Sequence, residues 1–225
     1  MNLKQIAGEK AAEYVRDGMT LGLGSGSTVY WALKRIGEMV KDGLKITGVP
    51  TSQKTADLAS EFGIPLVDLT RDLKIDLAID GADEIGPGLA LIKGGGGALL
   101  REKLVAEAAE SFIVIADESK LAAGIGEFPL PVEIVRFGWE TTMRRIAETG
   151  AEAGLRMNGD VPFITDNGNY IVDCRYARID EPASLHAQLK LLTGVVETGL
   201  FIDMADLAVI AGKNGIRIVE KGKEP

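Results

Sequence analysis

The sequence is poor in cysteine, histidine, aromatics and positive charge, and each scarcity removes a class of function. Cys174 is the only cysteine, so no intrachain disulfide can form, and with His186 as the only histidine no His/Cys cage can hold a metal. Only an all-oxygen metal site stays open. Lys and Arg number 25 against 33 Asp and Glu, and the resulting net charge of −8 provides no chain-wide field for nucleic acid or an anionic membrane. Trp31 and Trp139 are too isolated to form a base-stacking platform. No window offers the roughly 20 uninterrupted apolar residues that cross a bilayer. The opening MNLKQIAGEKAAEYV also lacks the apolar stretch of a signal peptide, so a cytoplasmic protein is expected. What the chain does have is 46% hydrophobic residues, 26% charged residues and 28 glycines in 225 positions, the balance of a globular α/β protein with ample core.

Apolar periodicity predicts an amphipathic helix through Leu3, Ile6, Ala7, Tyr14 and Val15, ended near Gly18. A strand Met19 to Leu23, a small-residue loop and a helix Val29 to Val40 follow, with Ser27 or Thr28 as N-cap. The alternation continues through strands at Leu44 to Val49, Pro65 to Val67, Ile75 to Asp80 and Phe112 to Ala116, with helices at about Ser52 to Phe62 and Ala98 to Glu110. Alternating β and α elements imply a parallel, Rossmann-like sheet with helices on both faces, and ligands on such sheets sit at the carboxyl ends of the strands. At Phe128-Pro-Leu-Pro-Val the alternation breaks, so a smaller inserted α+β domain is expected over 128–200, with 1–127 and 201–225 forming the larger one. Its expected strands are Glu133 to Phe137, Leu155 to Met157, Tyr170 to Cys174 and Val195 to Thr198, with a turn at Asp166-Asn167-Gly168. Leu207 to Ala211 and Ile216 to Val219 are expected to rejoin the first sheet.

Three polar segments follow strands. Gly22-Leu-Gly24-Ser-Gly26-Ser-Thr28 fails the dinucleotide fingerprint because Ser27 or Val29 stands where its third glycine belongs, and no lysine follows to make a Walker loop. It is either a phosphate seat made of backbone N–H groups and hydroxyls at a helix N-terminus, or a tight βα turn with a capped helix. Asp80-Gly-Ala-Asp83-Glu84 is either a set of acids at the ligand-bearing edge or a turn in which Asp80 satisfies backbone donors and its neighbours face water. Lys93-Gly94-Gly95-Gly96-Gly97 precedes a helix carrying Glu102, and four adjacent glycines lose much entropy on ordering while packing nothing. Such a run implies close backbone approach to a ligand or unusual dihedrals. Taken alone, Glu102 could be an exposed acid favoured by the helix dipole, and Lys93 a solvated lysine at a strand end.

Together GSGST at Gly24 to Thr28, DGADE at Asp80 to Glu84 and KGGGGALLREK at Lys93 to Lys103 resemble ribose-5-phosphate isomerase of type A. The likeness continues through IADESK at Ile115 to Lys120, FPLPVE at Phe128 to Glu133, TDNGNYIVD at Thr165 to Asp173 and GVVETGLF at Gly194 to Phe201. The resemblance implies interconversion of D-ribose 5-phosphate and D-ribulose 5-phosphate through an enediolate, with no metal or organic cofactor. It implies that Glu102 shuttles the proton between C2 and C1, that Asp80 and Asp83 assist ring opening and move hydroxyl protons, and that Lys93 with the N–H groups of Gly94, Gly95 and Gly96 steadies the oxyanion. Gly81 and Ala82 would line the substrate, and Ser25, Gly26, Ser27, Thr28, Lys120 and Lys4 would lie at its phosphate end. It implies a homodimer or homotetramer, and no partner beyond the sugar phosphate. The chain has Ser25 where many members carry Thr and Gly97 where Ala is common. Two other readings are a sugar-phosphate sensor without catalysis, and deamination or coenzyme A transfer on a related scaffold. A sensor has no use for the proton shuttle, and no histidine lies near the site to serve a deaminase.

Overall fold

The computed structural model describes residues 2–222, which fall into two units. The first comprises Met1–Ala82, Arg101–Lys120 and Met204–Pro225, and the second comprises Asp83–Leu100 and Leu121–Asp203.

The first unit is built on a six-stranded sheet. Its strands run Gly215–Glu220, Leu207–Gly212, Phe112–Asp117, Leu77–Gly81, Thr20–Leu23 and Thr47–Pro50 across the sheet, and all neighbours are parallel except the first pair. The alternation of side chains along each strand decides the packing. Leu21, Leu23, Leu77, Ile79, Ile113, Ile115, Val209 and Ala211 share one buried cluster with apolar residues of the helices Leu3–Ala12 and Val29–Lys41. Gly22 points the other way, where a Cβ would lie 2.5 Å from Val105 of the helix Leu99–Ala108. Helices therefore cover both faces. The chain order reverses between Thr20–Leu23 and Leu77–Gly81, because the second strand lies outside the first and the third inside it. That reversal makes the carboxyl ends of these two strands the place where a doubly wound sheet opens a ligand crevice.

The second unit carries a four-stranded antiparallel sheet in the order Val195–Thr198, Leu130–Ile134, Tyr170–Arg175 and Glu152–Leu155. The helices Trp139–Ala147 and Pro182–Lys190 contribute Ile146 and Leu189 to its core beside Val132, Val172 and Cys174. A second, three-stranded antiparallel ribbon joins Leu200–Phe201, Leu91–Ile92 and Glu84–Ile85. This ribbon explains why the second unit extends beyond the expected 128–200, taking in 83–100, 121–127 and 201–203. Strands of two residues have no periodicity to read, and their pairing draws three distant stretches of chain together.

Other elements differ locally from expectation. The strand expected over Glu133 to Phe137 instead spans Leu130–Ile134 and passes through Pro131, whose carbonyl accepts from the Gly199 N–H at 2.7 Å. Proline is tolerated there because the ladder with Val195–Thr198 ends at Val132, so its missing N–H interrupts nothing. Pro65 to Val67 is reduced to an isolated bridge between Gly48 and Leu66. The Asp166-Asn167-Gly168 turn is closed by Thr165 N–H to Asn169 O and Gly168 N–H to Thr165 O, both 2.9 Å, with Gly168 at φ +79°.

Candidate active site

The candidate residues divide between the units: Lys4, Ser25 to Thr28, Asp80 to Ala82, Glu102 and Lys120 belong to the first, and Asp83 and Lys93 to Gly96 to the second.

In the first unit, Asp80 ends its strand 3% exposed, and its Oδ1 accepts from the Ser25 N–H at 2.9 Å and the Gly81 N–H at 2.7 Å. The carboxylate thus ties two strand ends across the order reversal. Gly24 permits this approach, since a Cβ there would lie 2.2 Å from Asp80 Cγ. Asp76, at the beginning of the same segment, serves the opposite edge of the sheet by accepting from the Thr20 N–H at 2.6 Å.

The Ser25 hydroxyl is drawn into a cluster, 2.9 Å from Thr51 Oγ1, 2.8 Å from Ser52 Oγ and 3.0 Å from Thr55 Oγ1. Thr51 and Thr55 are buried, Ser52 caps the helix Gln53–Glu61 through the Thr55 N–H, and Thr55 Oγ1 donates to the Gly24 carbonyl at 2.8 Å. Thr51, Ser52 and Thr55 lie outside the motifs that mark the site in the sequence. Their visible signal was the Thr51-Ser52-x-x-Thr55 run at the end of the second strand.

Ser27 and Gly26 are exposed, and Lys4 Nζ donates to Ser27 Oγ at 2.9 Å. Thr28 occupies the N-cap position of Val29–Lys41, as expected, but without a side-chain cap hydrogen bond, and Ser27 accepts from Lys4. Lys4 and Lys120 both act on Asp117. Burial acts against the Asp117 carboxylate, but hydrogen bonds from Ser119 and the charges of Lys4 and Lys120 outweigh it and hold the pKa below the ordinary value. Lys4, the Ser27 hydroxyl and the exposed backbone at Gly26 therefore lie beside the amino end of a 13-residue helix. Such a grouping suits an anion.

Glu102 lies in the first turn of Leu99–Ala108 and is only 5% exposed, so it is not the solvated acid that helix dipoles commonly favour at such positions. Lys103 beside it is buried as well.

In the second unit Lys93 is 2% exposed, with Nζ 5.3 Å from the centre of the Phe201 ring. A strand-end lysine that merely kept a solvated head would not be sealed in this way. The glycines after it form a tight turn in which Gly97 N–H donates to Gly94 O at 2.9 Å, with Gly94 at φ +97° and Gly97 at φ +84°. Left-handed backbone at those two positions accounts for glycine there. Gly95 and Gly96 have exposed backbone, and the Gly95 N–H donates to Asp83 Oδ2 at 2.7 Å. Glu84, read as a solvent-facing acid in the plain-turn alternative, is instead buried, and Oε2 accepts from the N–H groups of Gly126 and Phe128 at 3.0 and 3.1 Å. It organises the 126–128 segment. His186 pairs Nδ1 with Thr198 Oγ1 at 2.7 Å, and Cys174 is a buried filler whose thiol burial pushes up to about 12.

Residues 47–215 match the family described as ribose 5-phosphate isomerase A (phosphoriboisomerase A). A ribose-5-phosphate isomerase A of Bacillus mycoides is 57% identical over 218 residues, covering 96% of this chain and 99% of that protein. The solved ribose 5-phosphate isomerase of Plasmodium falciparum superposes with a TM-score of 0.95 at 41% identity, covering 98% of this chain and 99% of that one. A D-ribose-5-phosphate isomerase solved in complex with phospho-erythronic acid gives a TM-score of 0.94 at 40% identity, covering 98% and 100%. Matches of this identity over nearly the whole length leave one conclusion: the chain belongs to the ribose 5-phosphate isomerase A family.

Proposed function

We propose that this protein interconverts D-ribose 5-phosphate and D-ribulose 5-phosphate by proton transfer through an enediolate. Glu102 removes the hydrogen on C2 of the open-chain aldose and returns it to C1, while the hydroxyl proton moves from O2 to O1. Atoms balance without an oxidant, since the carbonyl and the carbinol exchange places. A positioned carboxylate contributes about 10²–10⁴-fold as a general base. The rest of the acceleration must come from groups that favour the enediolate oxygen over the neutral carbonyl. Lys93 and the N–H groups of Gly94 to Gly96 serve there, and Asp80 and Asp83 open the furanose ring and relay hydroxyl protons, with Gly81 and Ala82 along the substrate. Lys4, Gly26, Ser27, Thr28 and Lys120 hold the phosphate, and Ser25 braces that loop through its hydroxyl cluster.

One observation carries this reading: the ionisable side chains of Glu102, Asp80 and Lys93 are 5%, 3% and 2% exposed. Burial of ionisable groups opposes folding, and function is a common reason to keep them there. Phospho-erythronic acid, found with a relative, fits the same chemistry, because its carboxylate imitates the planar, doubly oxygenated enediolate. The test is turnover of ribose 5-phosphate in the presence of chelator and incorporation of solvent deuterium at C1 and C2. Glu102→Gln is expected to abolish both while circular dichroism stays unchanged, and full activity in that variant would refute the assignment.

A soluble cytoplasmic homodimer or homotetramer is part of the proposal. The assembly is supported by Phe137 and Leu191, 94% and 86% exposed, on segments linked by the hydrogen bond from the Val135 N–H to Gly194 O. Sedimentation velocity would report the assembly directly.

A further inference from the structure

Arg156 belongs to none of the motifs above, yet it hydrogen-bonds two carbonyls of the glycine turn. Its backbone is fixed to the antiparallel sheet, where the Arg156 N–H donates to Ile171 O at 2.8 Å. Its guanidinium is oriented by Asp173 of the strand Tyr170–Arg175: Nε donates to Oδ2 at 2.9 Å and Nη2 to Oδ1. That fork leaves Nη1 to donate to the carbonyl oxygens of Gly94 at 2.9 Å and Gly95 at 3.1 Å. The guanidinium carbon lies 5.9 Å from the centre of the Phe163 ring, and the edge of that ring stands where a Cβ on Gly97 would be 2.4 Å away.

We propose that Arg156, clamped by Asp173, is a positioning residue that sets the direction of the oxyanion-binding N–H groups of the glycine turn. In a trans peptide the carbonyl and the following N–H point in opposite directions, so anchoring an oxygen aims the hydrogen of the next residue. Holding Gly94 O turns the Gly95 N–H toward Asp83 Oδ2, which it meets at 2.7 Å. Holding Gly95 O turns the Gly96 N–H away from the guanidinium. Four glycines in a row have no side chains to limit these peptides, and the turn's own Gly97 N–H holds only Gly94 O, so an external donor is needed to fix Gly95 O. Lysine could not replace it, because a single ammonium lacks the rigid fork that engages a carboxylate and two carbonyls at once.

The proposal rests on the reading of this turn as the oxyanion cradle, and the experiment separates the two. Arg156→Lys, Arg156→Ala and Asp173→Asn are made in the full chain, with folding checked by circular dichroism and Trp139 fluorescence. For each, kcat and KM are measured together with the affinities for phospho-erythronic acid and for erythritol phosphate, which lacks the carboxylate. We expect kcat to fall about 10- to 100-fold, as misaimed catalytic groups cause, with KM changed by less than about threefold. The preference for the acid over the alcohol should shrink by the same factor as kcat. Millimolar methylguanidinium should restore part of the activity of Arg156→Ala, a readout that a purely structural role would not move. If the wild type shows no preference for the acid, the cradle reading fails and the proposal with it. If the wild type shows the preference and all folded variants keep it along with kcat, the cradle reading stands and the positioning role is overturned. Should Arg156→Ala fail to fold, Arg156→Lys and Asp173→Asn decide the matter.

Discussion

Glu133 is wholly buried, and its two oxygens are treated very differently. Oε1 accepts from Thr165 Oγ1 and Asn169 Nδ2, both at 2.9 Å, and from Asn167 Nδ2 at 3.2 Å, whereas Oε2 has no hydrogen-bond partner among the described residues. The carboxylate thus holds the 165–169 turn through a single atom. Glu133→Ala deprives three donors of that atom, but Asn167 is exposed and water can replace its share. Two bonds to a carboxylate acceptor then remain to be counted, at about 1.5–3 kcal/mol each, so a loss of about 3–6 kcal/mol is expected. Glu133→Gln keeps the accepting oxygen but sets an amide N–H where no partner stands, so it should cost about 1–3 kcal/mol, less than the alanine variant. Guanidinium denaturation followed by Trp139 fluorescence in a Trp31→Phe background reads the second unit, because Trp139 opens one of its helices and Trp31 lies in the first. An alanine variant within about 1 kcal/mol of the parent, or a glutamine variant as damaged as the alanine one, would refute the argument.

Other positions give equally definite outcomes. Gly24→Ala would place a Cβ 2.2 Å from Asp80 Cγ and 2.6 Å from its Cα, so backbone must move; thermal melting should show a loss of about 3 kcal/mol, and kcat/KM should collapse with the displaced carboxylate. Ser27→Ala should raise KM for the sugar phosphate with little change in melting temperature, while Ser25→Ala, which breaks the buried hydroxyl cluster, should lower stability by about 1–2 kcal/mol. Alkaline pH should weaken the second unit, because burial pushes Cys174 from 9.0 up to about 12 and Tyr176 from 10.0 up to about 12. The unfolded chain releases these protons first, so stability is complete below pH 9 and declines toward pH 12, by about 1.4 kcal/mol per pH unit for each titrating group. Cys174→Ala should flatten the denaturation midpoints between about pH 9 and 10, and an unchanged slope would contradict the burial argument.

The large sheet was legible because its signals are local. Strand and helix periods, and glycine loops placed after strands, are properties of short windows, and parallel pairing follows from their alternation. The antiparallel ribbon of Glu84–Ile85, Leu91–Ile92 and Leu200–Phe201 was not, since two residues carry no period and the third strand is more than a hundred positions away. The candidate site divides along the same line. Lys93, the glycines and Glu102 stand within ten residues of one another and announce themselves together, while their burial, which decides whether they are solvated or working groups, depends on distant chain. Ser25 meets hydroxyls 26 to 30 residues ahead, and Arg156 reaches carbonyls 61 and 62 residues behind it. No window contains both partners. A physical inference was nonetheless open from the sequence: a run of glycines that must present N–H groups to one side exposes its carbonyls on the other, and an ordered turn needs a donor to hold them. Arg156 meets that requirement from the sheet, so the identity of a loop's anchor can be sought among cations with rigid backbone rather than among residues beside the motif.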